Sequence, residues 1–199
     1  ALGFVCLLIA VITGGCWDRR EINQLAFVSS IAADLEGEQR LITGEIVHPV
    51  AGGGDGGAGG ANGGGKAFSQ RQALISSGRG ETLLAAGRAW TLKLPRRAYI
   101  AHTSAVLVGE EMARHGLREV LSHIDRNPEF RRTTLIVLTR GPARDILVKA
   151  QGELESSLGN EIQGIKKWVQ LSGYGFIPDI HQVLRDLSGA AITTILPLV

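Results

Sequence analysis

The apolar positions of this chain have three textures. From Leu2 to Ile12 they are unbroken, from Leu25 to Thr139 they form short runs between polar turns, and beyond Asn160 they recur every three or four residues. Leu25 to Asp34 (L-A-F-V-S-S-I-A-A-D) reads as a β-run, and Glu36-Gly37-Glu38-Gln39 is a polar turn into a second run, Arg40 to His48. In that run Ile42, Gly44, Ile46 and His48 share one face while Leu41, Thr43, Glu45 and Val47 share the other, so a hairpin closed by Pro49 is expected. Phe68 to Ser76 predicts a returning strand and Gly78 to Gly80 a break. Glu81 to Leu94 then predicts a helix that buries Leu83, Ala86, Trp90 and Leu94 and stops at Pro95. Tyr99 to Gly109 is β in character, and Leu117 to Arg126 predicts a helix with Val120, Leu121 and Ile124 inward, ended by Asn127-Pro128. Thr133 to Thr139 is the continuous apolar run of a central strand covered on both faces, and Pro142 opens a short helix to about Ala150.

Asn160 to Leu171 and Asp179 to Leu187 predict two amphipathic helices. The first places Ile162, Ile165 and Val169 on one face; the second places Ile180, Val183, Leu184 and Leu187 on one face and is N-capped by Asp179. Ala191 to Val199 reads as the beginning of a strand. Between the first hairpin and the returning strand, residues 51–65 are nearly all glycine and alanine, too poor in apolar area to offset backbone entropy, so a disordered loop is expected there. The G-x-G-x-x-G match at Gly54, Gly56 and Gly59 is a product of that composition and implies no phosphate cradle. The elements predict an α+β fold. A mixed β-sheet of four to five strands packed with helices spans 24–155, and a helical connector leads into a truncated second domain over 156–199.

The first segment has its own chemistry. Leu2 to Ile12 has the length of a secretory h-region and is too short to span a bilayer. It leads through Thr13-Gly14-Gly15 into Cys16, and small residues before a cysteine are what a lipoprotein signal peptidase cuts at. Residues 1–15 are therefore read as a signal peptide, N-terminally incomplete because Ala1 opens the chain with neither Met nor a basic flank, and 16–23 as the anchor segment. Thr13 stands where such boxes carry Leu or another aliphatic residue. The rival reading is a buried N-terminal strand in which Cys16 is incidental.

Composition narrows the remaining classes. Lys and Arg number 21 against 19 Asp and Glu, a net charge of +2 that gives no global pull toward nucleic acid. Of two cysteines, Cys6 lies in the signal, so Cys16 would remain alone and no disulfide framework can form. The histidines at 48, 102, 115, 123 and 181 show no metal-ligand spacing, and His115 and His123, flanked by charges, read as solvated. Ser29, Ser30 and Ser104 lack a G-x-S-x-G elbow. Glu110-Glu111 follow a strand and complement a helix N-terminus, while Arg96-Arg97 and Arg131-Arg132 sit at helix-to-strand junctions as solvated or ion-paired groups. No catalytic residue, metal or cofactor is expected.

Short motifs in register then carry a resemblance. G-C-W-D-R-R-E-I-N at Gly15 to Asn23 before a β-run ending in Asp34, His48-Pro49 with a glycine-rich insert, Ser77-Gly78-Arg79 before a helix, L-P-R-R-A-Y-I-A-H at Leu94 to His102, V-L-V-G-E-E at Val106 to Glu111 and R-N-P-E-F-R at Arg126 to Arg131 occur in one order. Together they resemble the N-terminal half of the Ger(x)C family, the lipoprotein C subunits of spore germinant receptors. The resemblance implies a non-enzymatic subunit on the outer face of the spore inner membrane, held by a diacylglycerol thioether on Cys16 and needing no other cofactor. It also implies integral A and B subunits as partners, with Trp17, Asp18, Arg19, Arg20 and Glu21 as candidate partner contacts. Family members are about twice as long. A stand-alone lipid-anchored solute-binding or hydrolytic module is the competing class.

Overall fold

The computed structural model describes residues 21–47, 73–150, 155, 157–189 and 193–199. Cys16, Trp17, Asp18, Arg19 and Arg20, the glycine-rich segment 51–65 and the signal segment lie outside them. The predicted hairpin is present as β1 (Leu25–Glu36) and β2 (Gln39–Val47), turning at Gly37, whose φ of 61° suits a residue without Cβ. β3 (Leu74–Gly80) pairs antiparallel with β2. After helix α1 (Leu83–Thr91) come β4 (Arg97–Tyr99), a 3-10 turn and β5 (Ala105–Gly109), both strands parallel to β1. Helix α2 (Glu110–Arg126) crosses to β6 (Leu135–Thr139), parallel to β5. Helices α3 (Ala143–Lys149), α4 (Leu158–Ser172) and α5 (Ile180–Ser188) complete the chain.

The result is the expected α+β fold: an open mixed sheet of order β3-β2-β1-β5-β6, with short β4 as the sixth strand beside β1. One face packs under α1, α2 and α5 through Val28, Ile42, Val106, Trp90, Ile124 and Val183. The other packs under α3 and α4 through Ala32, Leu107, Val137, Leu147, Leu158 and Ile162. A bulge in β1 between Val28 and Ser30 shifts the register, so Ala26 and Val28 before it and Ile31 and Ala33 after it all belong to the first face.

Several elements differ from expectation for tertiary reasons. Gly78 to Gly80 do not break the third strand but end it; a Cβ on Gly78 would stand 2.2 Å from the Trp90 backbone nitrogen, and one on Gly80 2.5 Å from that of Ala86. The glycines let α1 lie directly on β3. Tyr99 to Gly109 splits around the 3-10 turn Ile100–His102 instead of running as one strand. The helix expected from Leu117 is present and is joined across a kink at Gly116, non-helical at φ 167°, ψ 87°, to the helix that Glu110-Glu111 open. β6 is an edge strand, not a central one. It nevertheless carries a buried sequence, because helices cover both faces and its outer amides at Ile136 and Leu138 donate to the Pro178 and Pro197 carbonyls at 3.2 and 2.9 Å. Ile165, expected inward beside Ile162, is 48% exposed, because the second half of α4 runs off the sheet.

Candidate functional site

The buried carboxylates of the sheet, Asp34 and Glu45, sit where helices α3 and α4 meet it. Asp34, near the end of β1, accepts the amides of Ala143 and Arg144 at 2.6 and 2.9 Å, so it caps α3, whose own N-cap residue is Pro142. Gly109 on the neighbouring strand leaves the space, since a Cβ there would overlap the Asp34 carboxylate. Burial pushes the Asp34 carboxyl above its ordinary value of 3.8, against the lowering effect of the Ala143 and Arg144 amides.

Glu45 does the equivalent job for α4. One oxygen accepts the Leu158 amide at 3.1 Å and the other accepts the Ser30 hydroxyl. Because of the bulge, Ser29 and Ser30 both serve this face; Ser29 Oγ lies 2.6 Å from the hydroxyl of Ser157, the N-cap of α4. Gly159 packs so closely that a Cβ would approach the Ser29 carbonyl to 2.6 Å. A hydroxyl on a carboxylate is the first half of a nucleophile, but Ser30 and Glu45 are 0% and 2% exposed. No substrate can reach them, and the second carboxylate oxygen is already committed to a helix amide. Their chemistry is that of docking.

On the other face, α1, α2 and the sheet form a half-open apolar pocket of about 170 Å³, lined by Ile42, Leu83, Val106, Val120 and Phe130 with His123 at its wall. His123 is half-buried rather than solvated, and burial pulls its imidazole below the ordinary 6.5. His115 instead lies at the surface, 3.2 Å from Arg40, which pairs with Glu119 at 3.0 Å and ties β2 to α2. Glu110 opens α2 as expected and binds Arg114 at 2.8 Å, which holds its carboxyl below the ordinary value. Arg97 and Arg132 are ion-paired with Glu129 and Asp125. Among the described residues no group of three or more His, Cys, Asp or Glu could hold a metal, and no helix is long and apolar enough to cross a membrane.

The two shifted groups make opposite pH predictions. His123 binds its proton less readily folded than unfolded, so between its lowered pKa and 6.5 stability should rise with pH. Asp34 holds its proton more readily folded, so between 3.8 and its raised value its own contribution should fall as pH rises. Urea unfolding at pH 5 and 7 should show His123→Gln flattening the upward limb, with the change reported as a smaller difference between the two midpoints.

Residues 18–199 match the model of the spore germination protein N-terminal domain. The chain belongs to that family. It is 40% identical to "Putative spore germination protein YfkR" of Bacillus subtilis (strain 168) across 71% of this chain and 35% of that protein. Spore germination protein KC of the same organism is 29% identical across 98% of this chain and 47% of the relative, and spore germination protein B3 is 28% identical across 74% and 37%. The chain thus spans between a third and a half of the length of these relatives. No solved structure matches it at a significant level. The family membership gives the chain a role related to spore germination.

Of the residues singled out for this spore germination domain, only Glu21 is described: it is exposed and precedes a 3-10 turn, Ile22–Gln24, that leads into β1. Asp34, Glu45, Ser29 and Ser30 were not anticipated as a docking set. The signal was available in part. Glu45 sits at an inward period-two position between Thr43 and Val47, where a carboxylate needs a partner.

Proposed function

We propose that the chain is a lipid-anchored, non-enzymatic subunit of a spore nutrient germinant receptor. Cys16 carries the diacylglycerol and acyl groups, integral A and B subunits are its partners, and the outer face of the spore inner membrane is its location. The observation that carries this reading is the match of residues 18–199 to the spore germination N-terminal domain directly after the Gly15-Cys16 pair. Support also comes from the fate of the buried polar groups: the carboxylates and serines of the sheet are consumed in holding helices, which suits a rigid assembly module. A single acyl chain gives marginal membrane residence, whereas a diacyl group supplies two chains and partner contacts add avidity.

In this reading Trp17, Asp18, Arg19, Arg20 and Glu21 link the anchor to β1 and meet the membrane subunits. Reversing Arg19 and Arg20 to Glu is expected to cut co-purification with the A and B subunits at least tenfold while leaving lipid on Cys16. Unchanged co-purification, scored by immunoblot of detergent-solubilised spore membranes, would count against these residues as contacts.

A further inference from the structure

The parallel strands give the sheet a polarity. β4 and β5 run parallel to β1, and β6 runs parallel to β5, so the N-terminal ends of all four strands face one way. Toward that pole Gln24 stands level with Arg96 before β4, while Ser104 before β5 and Thr134 before β6 stand level with Ser29, five residues further along β1. The segment from helix α4 to the start of α5 has a foot on these strands at each end. The early turns of the helix lie on Ser29 and Ser104, with the Gln163 side-chain amide donating to the Ser104 carbonyl at 3.2 Å. The chain returns where the Ile180 amide donates to the Thr134 carbonyl at 2.9 Å.

Between those feet the chain leaves the sheet and turns apolar outward. Trp168, Leu171 and Tyr174 are 73%, 78% and 95% exposed, and Ile165 and Phe176 are nearly half exposed. The helix ends at Gly173 in the left-handed conformation, which carries Tyr174 to Phe176 out as a tip. From Ile162 to Pro178 the charged side chains are Lys166 and Lys167, with no acid among them. Arg96 before β4 and Arg131 before β6 are exposed as well. Trp and Tyr with aliphatic neighbours and lysines that can snorkel past them suit a bilayer interface, and uncompensated cations suit anionic headgroups.

We infer that this pole rests on an anionic membrane surface, with the end of α4 and the Gly173–Phe176 tip set among the lipid headgroups. The inference builds on the anchored reading of Cys16, which lies five residues before Glu21, within about 17 Å of fully extended chain from the same pole. The tip is then a second, non-covalent membrane contact that fixes how the domain stands on its anchor.

The test uses the whole chain with Trp17→Phe, mixed with phosphatidylglycerol–phosphatidylcholine vesicles whose lipids are brominated just below the headgroup. The Trp168 emission, taken as the difference from the same chain with Trp168→Phe, should lose more than half its intensity. Lys166→Glu with Lys167→Glu should restore most of it. Trp168 emission that is unchanged while the chain co-floats with the vesicles overturns the inference. Quenching that disappears when the membrane subunits are added also overturns it, by assigning the tip to a protein surface. The reading is local to Trp168 and needs no lipid on Cys16, so a failed anchor, seen as an unmodified thiol by mass, is a separate result.

Discussion

Gly78→Val is expected to destabilise the domain by about 3 kcal/mol or more, the upper end for forcing atoms into a packed site. A Cβ at this position would stand 2.2 Å from the Trp90 nitrogen, 2.4 Å from the Ala86 carbonyl oxygen and 2.6 Å from the Trp90 Cα. All three are helix backbone, so relief requires moving α1 as a body off β3. That movement would also lift Trp90, a fully buried side chain whose ring covers Gly44 on β2. Because small domains have about 5–15 kcal/mol in all, the urea midpoint should drop steeply. Gly87→Ala is the control: its Cβ meets nothing nearer than Ile42 Cδ1 at 3.7 Å, and removing a mid-helix glycine should stabilise by about 0.5–1 kcal/mol. A Gly78→Val midpoint equal to that of the parent would mean that α1 does not lie on β3.

Glu45→Ala should be nearly as costly, about 2–4 kcal/mol, through a different route. The substitution leaves the Leu158 amide and the Ser30 hydroxyl buried without their acceptor, each worth about 1–3 kcal/mol, and opens space under α4. The loss should be local first. Hydrogen exchange at Leu158 and Asn160 is expected to speed up at least tenfold while amides in β5 stay protected, since the α1 face of the sheet does not depend on this carboxylate. Glu45→Gln keeps an acceptor for Leu158 and can donate to Ser30, so it should recover most of the protection. Equal exchange in Glu45→Ala and the parent would mean that α4 is held by its apolar contacts alone.

These two sites also show where the sequence was legible. The β1–β2 hairpin, the short helix after Pro142 and the Asp179 cap follow from alternation and cap chemistry, which are local. Gly78 was unreadable for the opposite reason. Local rules assign a glycine cluster to a break, whereas here the requirement comes from a helix that lies on the strand. β6 reads as central because its side chains are buried, yet edge or centre is a matter of hydrogen-bond partners, which a seven-residue apolar run does not encode. His123 looks solvated among charged neighbours, and only the packing of α1 over α2 makes it half-buried. Of the α4 face grouped as Ile162, Ile165 and Val169, Ile162 is buried and Ile165 is exposed, because periodicity tells which residues share a face, not whether the sheet is long enough to cover it.

The family signature at the start of the chain has the opposite character. Cys16 to Arg20 were picked out by motif and order, with no contribution from folding geometry, and membership of the spore germination family now stands on the match across 18–199. The central claim is that Cys16 tethers this domain to the membrane beside its partners. Mass spectrometry of the chain isolated from the membrane fraction tests it most directly. The account predicts a mature N-terminus at Cys16 with the mass of a diacylglycerol thioether added to it; an unmodified Cys16 on a chain still carrying residues 1–15 would contradict it.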